Sequence, residues 1–280
     1  MLKKILLTGA GGRLGSYLRE PLTKMANELV SIDIKSEIGS LYDKETFKQI
    51  DLQDFPAIKE VSEGVDVIVH FGAIVDEAPF PKLLGPNFIG SYNIWEAGYL
   101  NNVKRIVYAS SIHAVGMYPK NEFIGTEVPH RPDTFYGLAK CFTEDLGKMY
   151  FEKCGLESVH LRILSCAKVN NSRALGTWLS YDDLIHLVNR AIDTPVTGFK
   201  IVYGVSNNDR SPVDNSSASF LGYRPKDNAE RFAKEILDGT YPENPSSPEI
   251  ALHGGPFAAT NLGESGIGGF GIIDESKIKD

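Results

Sequence analysis

Cysteine is scarce: the 280 residues contain only Cys141, Cys154 and Cys166. An odd, sparse count excludes a disulfide scaffold and fits a reducing cytosol, so a cytoplasmic protein is expected. Long hydrophobic runs are missing too. No apolar stretch approaches the ~20 residues that span a bilayer, so no membrane partner is expected. The N-terminus has two lysines and then only Ile5, Leu6 and Leu7 before Thr8. That stretch is too short for a signal peptide and reads as the direct start of structure. Positive charge is in deficit, with 29 Lys and Arg against 36 Asp and Glu and a net charge of −7. This balance favours solubility and argues against non-specific nucleic-acid binding, which needs a basic surface. Cys and His show no metal-ligand spacing, so no metal is expected. What is present is 42% hydrophobic and 23% charged residues, which excludes a disordered or fibrous chain. The length allows one large domain, or one domain with a small appendage.

The first 165 residues alternate apolar runs with amphipathic stretches. Strands are expected at 3–8, 28–34, 46–51, 65–71, 103–109 and 157–164. Helices are expected from the glycine loop through Asn27, at 54–61, at 82–101 and at 133–153. The last is capped by Asp133 or Thr134 and stopped near Gly155. Strands separated by helices indicate βαβ units, and hence an α/β doubly wound, mostly parallel Rossmann sheet with right-handed crossovers. Beyond Leu164 the pattern loosens. Helices at 180–193 and 227–238 and a strand at 199–204 suggest a small C-terminal substrate-binding part. The expected division is 1–165 for the dinucleotide domain, 166–254 for a substrate-covering part, and 255–280 for a Gly-rich tail. Within that tail, 263–271 reads as a mobile arm.

Glycines at 9, 12 and 15 follow the first strand and open a helix. Gly9 permits the tight turn, Gly12 lets the backbone approach a pyrophosphate, and Gly15 lets helix and strand pack closely. Phosphate would sit at the helix N-terminus, where N–H groups and the dipole favour negative charge. The alternative is a structural turn without a ligand. Asp33 closes the second strand. A carboxylate there can bind both adenosine ribose hydroxyls and would repel a 2′-phosphate, so NAD is favoured over NADP. The plainer reading of Asp33 is a solvated acid. Asp51 and Leu52, after the third strand, are placed to meet the adenine.

Tyr136 and Lys140 stand at i, i+4 on one helical face. An ammonium near a phenol favours phenolate, which makes Tyr136 a candidate general base. Ser111 ends the fifth strand, at the carboxyl edge where open α/β sheets bind ligands. A hydroxyl there can hold the reacting oxygen.

Taken in order, TGAGGRLG (8–15), the Asp51-Leu52 pair, NFIG (87–90), YASS (108–111) and YGLAK (136–140) resemble the extended short-chain dehydrogenase/reductase superfamily. The resemblance implies catalytic Ser111, Tyr136 and Lys140. It implies an NAD site formed by Gly9, Gly12, Arg13, Leu14, Gly15, Asp33, Asp51, Leu52, Gly72, Ala73, Asn87, Tyr136, Lys140, Ile163 and Cys166. A homo-oligomer is also expected by this resemblance.

SSIHAVGMYP (110–119), RPDTFYGLAKCFTEDLGKMYFEKCG (131–155), RILSC (162–166), TWLSYDDL (177–184) and FLGYRPKDNAERF (220–232) are further similar to uronate dehydrogenases. That similarity implies a small sugar-acid substrate, oxidised by NAD at C1 to an aldarolactone. Tyr136 would take the C1 hydroxyl proton, Ser111 would hold the same hydroxyl, and Lys140 would bind the nicotinamide ribose and lower the tyrosine pKa. His113, Ser165 and Arg173 would contact the sugar, Arg173 by gripping the C6 carboxylate. Without that role, His113 is a loop histidine and Arg173 a solvated arginine. Cys166 has no base to activate it as a nucleophile. Two positions depart from the expected pattern: Val75 replaces a small polar residue and Ile112 replaces Asn. Each removes a sugar contact worth ~1–3 kcal/mol, which Asp76 is placed to restore. Another uronate or small aldose therefore stays open as substrate. A nucleotide-sugar epimerase or dehydratase needs a larger C-terminal part than residues 166–280. A non-catalytic dinucleotide sensor would not need the Tyr–Lys pair. Both expected ligands are anionic although the chain is acidic, so attraction must come from the helix start after Gly12, from Arg173 and from Lys140.

Overall fold

The Val- and Ile-rich runs pair into one sheet. The computed structural model describes residues 1–238 and 244–266. The chain runs β1 (Leu2–Thr8), α1 (Arg13–Thr23), β2 (Ala26–Asp33), β3 (Glu45–Gln49), α2 (Phe55–Val61), β4 (Val67–His70), α3 (Phe80–Leu83), a π-helical turn (Leu84–Ile89), α4 (Gly90–Leu100) and β5 (Arg105–Tyr108). It continues through a 3-10 turn (Ile112–Val115), α5 (Phe135–Cys154), β6 (Glu157–Ile163), α6 (Ala174–Thr177), α7 (Tyr181–Asp193), β7 (Phe199–Gly204), α8 (Ala233–Leu237), α9 (Pro248–Ala251) and α10 (Pro256–Ala259). The strand order is β3-β2-β1-β4-β5-β6-β7, and every pairing is parallel. This is the expected doubly wound Rossmann architecture.

Alternation along the strands sends side chains to two cores. Ile5, Leu7, Val67, Val69, Val107 and Val159 meet Leu18 and Leu22 of α1 and Leu184 and Leu187 of α7. Leu6, Ile68 and Ile106 meet Ile58 of α2, Ile94 and Trp95 of α4, and Leu146 and Tyr150 of α5. The Tyr17 and Tyr181 rings stack 3.7 Å apart between α1 and α7. β7 pairs with β6 from Ser158↔Phe199 to Ile163↔Gly204, so the sheet itself crosses the expected division at residue 165.

Some elements differ from expectation. α1 stops at Thr23 rather than Asn27, because a turn through Lys24, whose N–H bonds Pro21 O, starts β2 at Ala26. The helix expected at 82–101 begins earlier and contains the π-helical turn, at Pro86, which has no N–H to give the ladder. Residues 227–238 form a 3-10 turn (Ala229–Phe232) and then the short α8. Helices α9 and α10 had no periodic signal. The arm expected at 263–271 is corrected in its first part, since Gly263 and Gly266 donate hydrogen bonds to Glu77 and Asp76. Residues 267–271 lie outside the described residues. Among the described residues, no helix is long and apolar enough to cross a membrane.

Candidate active site

The loops after β1, β4, β5 and β6 all leave the carboxyl edge of the sheet. At the first, Gly9 adopts φ +71° and lies against the loop after β4, where a Cβ would come within 2.7 Å of Gly72 N. A Cβ at Gly15 would lie 2.0 Å from the Gly9 carbonyl oxygen. The first turn of α1, with Arg13 and Leu14, has no side-chain cap and no acidic residue, so its N–H groups face outward with the positive dipole end. Asp33 lies across this loop and accepts from Gly11 N (2.8 Å) and Lys35 N (3.0 Å). A bare backbone cradle, an uncapped helix start and a carboxylate at the end of β2 together fit a dinucleotide such as NAD.

The neighbouring loops complete that end. Thr8 Oγ1 accepts from Gly72 N (3.0 Å) and meets His70 Nδ1 (2.7 Å), which ties Gly72 and Ala73 to β1. The Leu52 side chain lies under Gly72, and Asp51 closes its own turn by accepting from Gln53 N (2.9 Å). Asn87, set by the π-helical turn, clamps Ile74 with both amide groups, at 2.9 and 2.8 Å. Its side chain therefore shapes the loop of Gly72 and Ala73. Ile163 and Cys166 are buried at the end of β6, in the core beneath α1 and α7.

Ser111, Tyr136 and Lys140 come together as the spacing predicts, all buried. Ser111 hydrogen-bonds the Tyr136 phenol. Lys140 Nζ donates to Ala109 O at 2.8 Å and stands 4.7 Å and 5.1 Å from the ring centroids of Tyr108 and Tyr136. The expected lowering of the tyrosine by Lys140 is corrected here. Burial pushes the Tyr136 phenol above its ordinary value, the Ser111 bond opposes the rise, and the charges of Asp133 and Asp76 add to it. Lys140 lies over the ring, and burial pulls its ammonium down to about 7 against the support of Glu144. Glu144 is itself a hub one turn further along α5. It accepts from Ser110 Oγ (2.6 Å) and Arg162 Nη2 (2.7 Å) and meets His130 Nε2 (2.8 Å). Burial alone would raise its carboxyl, yet the bonds from His130 and Arg162 bring it to about 2.

Among the residues expected to meet the sugar, Arg173 is buried just before α6. It donates from Nη1 to Ser165 Oγ (2.8 Å) and from Nη2 to His253 O (2.9 Å). Burial brings its guanidinium down to about 10, so it stays charged at neutral pH. Thr177 Oγ1 joins Ser165 Oγ at 3.0 Å. His113 is buried, meets Asp133 Oδ2 through Nδ1 at 2.7 Å, and stacks on Phe257 with ring centroids 4.1 Å apart. Thr134 rather than Asp133 caps α5, accepting from Gly137 N at 3.0 Å. Val75 is 57% exposed and offers no hydrogen-bonding group. Ile112 is corrected as a sugar contact. The 3-10 turn after Ser111 sends its side chain inward, against Val115, Ile124, Leu164 and Tyr203.

Sequence reasoning missed Glu77, Thr177, His253 and Phe257 and read Asp133 only as a cap. The acids Asp76, Glu77 and Asp133 in loops were the available signal, and loops carry no periodicity to reveal that Glu77 and Asp133 are buried.

The family model described as the NAD dependent epimerase/dehydratase family matches residues 5–198. The chain is 44% identical to a uronate dehydrogenase of Agrobacterium fabrum, over 91% of this chain and 97% of that protein. It resembles a solved uronate dehydrogenase from Agrobacterium tumefaciens, a mutant complexed with NAD, at 42% identity and TM-score 0.89, covering 93% of this chain and 98% of that one. A solved glucuronic acid dehydrogenase from Chromohalobacter salexigens gives 40% identity, TM-score 0.89 and the same two coverages.

Proposed function

We propose that this chain, which belongs to the NAD dependent epimerase/dehydratase family and within it to the uronate dehydrogenases, oxidises a hexuronic acid at C1 to the aldarolactone. The carrying observation is Arg173, a charged guanidinium buried against Ser165 on the substrate side of the site. Ser165, the His253 carbonyl and the charge of Asp133 hold it there, and a guanidinium can grip a C6 carboxylate bidentately. Ser111 and Tyr136 converge on the C1 hydroxyl, Ser111 orienting it and Tyr136 taking its proton. Gly9, Gly12, Arg13, Leu14, Gly15 and Asp33 would hold NAD, with Asp51, Leu52, Gly72 and Ala73 at its flank. Bound NAD supplies the hydride acceptor and a positively charged ring, which favours phenolate. Lys140 would hold the ribose next to Tyr136. Asp133 fixes the orientation of the His113 ring, which would contact the sugar.

An NADH-formation assay over glucuronate, galacturonate, mannuronate, neutral aldoses and nucleotide sugars tests the reading. Strong preference for free acids is expected, and Arg173→Ala should reduce it by roughly tenfold or more, the worth of a charged hydrogen bond. Equal rates on acids and neutral sugars would overturn it.

We propose further that the chain self-associates through α4 and α5. Their outer faces expose Tyr92, Tyr99, Phe142 and Met149, an apolar surface suited to a second copy. A monomer in light scattering would exclude this.

A further inference from the structure

One carboxylate on the sugar side has two backbone partners far apart in sequence. Glu77 is 2% exposed and follows the loop after β4. Its Oε2 accepts from Tyr136 N at 2.9 Å, in the first turn of α5. Its Oε1 accepts from Gly263 N at 2.8 Å. The preceding residue, Asp76, accepts from Gly266 N at 2.8 Å and holds the Ser265 hydroxyl. Phe257, in the same segment, stacks on His113 and stands edge-on to Tyr136 at 6.1 Å. Residues 256–266 thus cover the side of the site where Tyr136 and His113 meet, and they are moored by two neighbouring acids.

We propose that Glu77 is a positioning residue, which fastens segment 256–266 over the sugar site and with the same carboxylate fixes the backbone of Tyr136. This rests on the reading of Tyr136 as the base. Both partners are N–H donors, so both side-chain oxygens must accept. A glutamine offers one acceptor and one NH₂ group, and so loses one of the two contacts whichever way its amide is turned. A negative charge also suits the N-terminus of a 20-residue helix. The segment and the base are therefore mechanically joined. Unseating 256–266 removes one of the two bonds that orient the carboxylate against Tyr136 N. A sugar that packs against Phe257 and Arg173 steadies the segment, and through Glu77 it steadies the base.

The test compares Glu77→Gln with the native full-length chain in the presence of NAD and a uronate. The expected result is a fall in kcat, not only a rise in KM, of roughly ten- to a hundredfold, with the dissociation constant for NAD changed by less than about twofold. Amide exchange across 257–266 should accelerate in the same variant. Native kcat, or native exchange across the segment, overturns the inference. Should Glu77→Gln fail to fold, Gly266→Val replaces it. A Cβ there would lie 2.6 Å from the Phe257 ring, so the segment is displaced while Glu77 and α5 are left intact. Reduced kcat with NAD binding retained supports the coupling, and native kcat overturns it. Tyr136→Phe separates the two readings. Retained turnover in Tyr136→Phe defeats the base assignment itself, whereas an inactive Tyr136→Phe beside a fully active Glu77→Gln defeats only the role of Glu77.

Discussion

The proposed dinucleotide cradle and the proposed sugar pocket share one edge of the sheet but are assembled by different means. The cradle is local. Gly9 to Gly15 and Asp33 lie within 25 consecutive residues, and their work is done by backbone N–H groups and by missing side chains. The pocket joins Glu77, His113, Asp133, Tyr136, Ser165, Arg173 and Phe257, drawn from five separate stretches of chain. Most of its groups are buried and polar, and several are held by partners far away in sequence, as Glu77 is by Gly263 across 186 positions. A cofactor common to a whole family can be met by fixed backbone geometry. A particular sugar requires side chains that are charged, dry and oriented, and burial of such groups is stable only when their partners arrive with them.

This contrast can be pressed from both sides. The largest effect is expected at the junction. Tyr136→Phe should lower kcat by roughly 10²–10⁴-fold, the usual contribution of a general base, while fluorescence titration shows NAD still bound. Loss of NAD binding in that variant would mean that the two regions are not separable. Gly15→Ala attacks the cradle alone. Its methyl group meets the Gly9 carbonyl, which cannot swing aside, so a stability loss of roughly 1–3 kcal/mol in urea unfolding is expected, with weaker NAD binding. Unchanged NAD affinity there would show that the cradle tolerates side chains. The smallest effect concerns Lys140, which lies between the two. Burial lowers it to about 7 from an ordinary 10.5, so between those values the unfolded chain keeps a proton that the folded, cofactor-free chain has released. Stability then rises with pH across that window. Urea unfolding at pH 7 and pH 9 should show this rise in the native chain and lose it in Lys140→Met.

The same contrast explains what could be read in the sequence. The parallel sheet, the glycine cradle and the Ser111, Tyr136 and Lys140 set were legible because strand runs, a glycine spacing and an i, i+4 step are short-range patterns. Ile112 misled, because the resemblance set it where an Asn would meet the sugar, and only the 3-10 turn reveals that the side chain enters the core. Phe257 sits in a Pro- and Gly-rich run without periodicity, and nothing local announces that its ring lies on His113. The rise of the Tyr136 phenol was not legible because helical spacing shows that Lys140 is near the ring, but not that it stands over the face, nor that the phenol is buried.

The pairing of β7 with β6 has a consequence for motion. Six consecutive registered positions carry the hydrogen-bonded sheet from the cofactor side into the substrate side. Continuous pairing of this kind opposes the swing of one side away from the other. Exchange of sugar and lactone falls to the loops along the carboxyl edge and to the segment moored on Asp76 and Glu77. If turnover is limited by release of product, its rate reports how fast that small piece of chain lifts and settles.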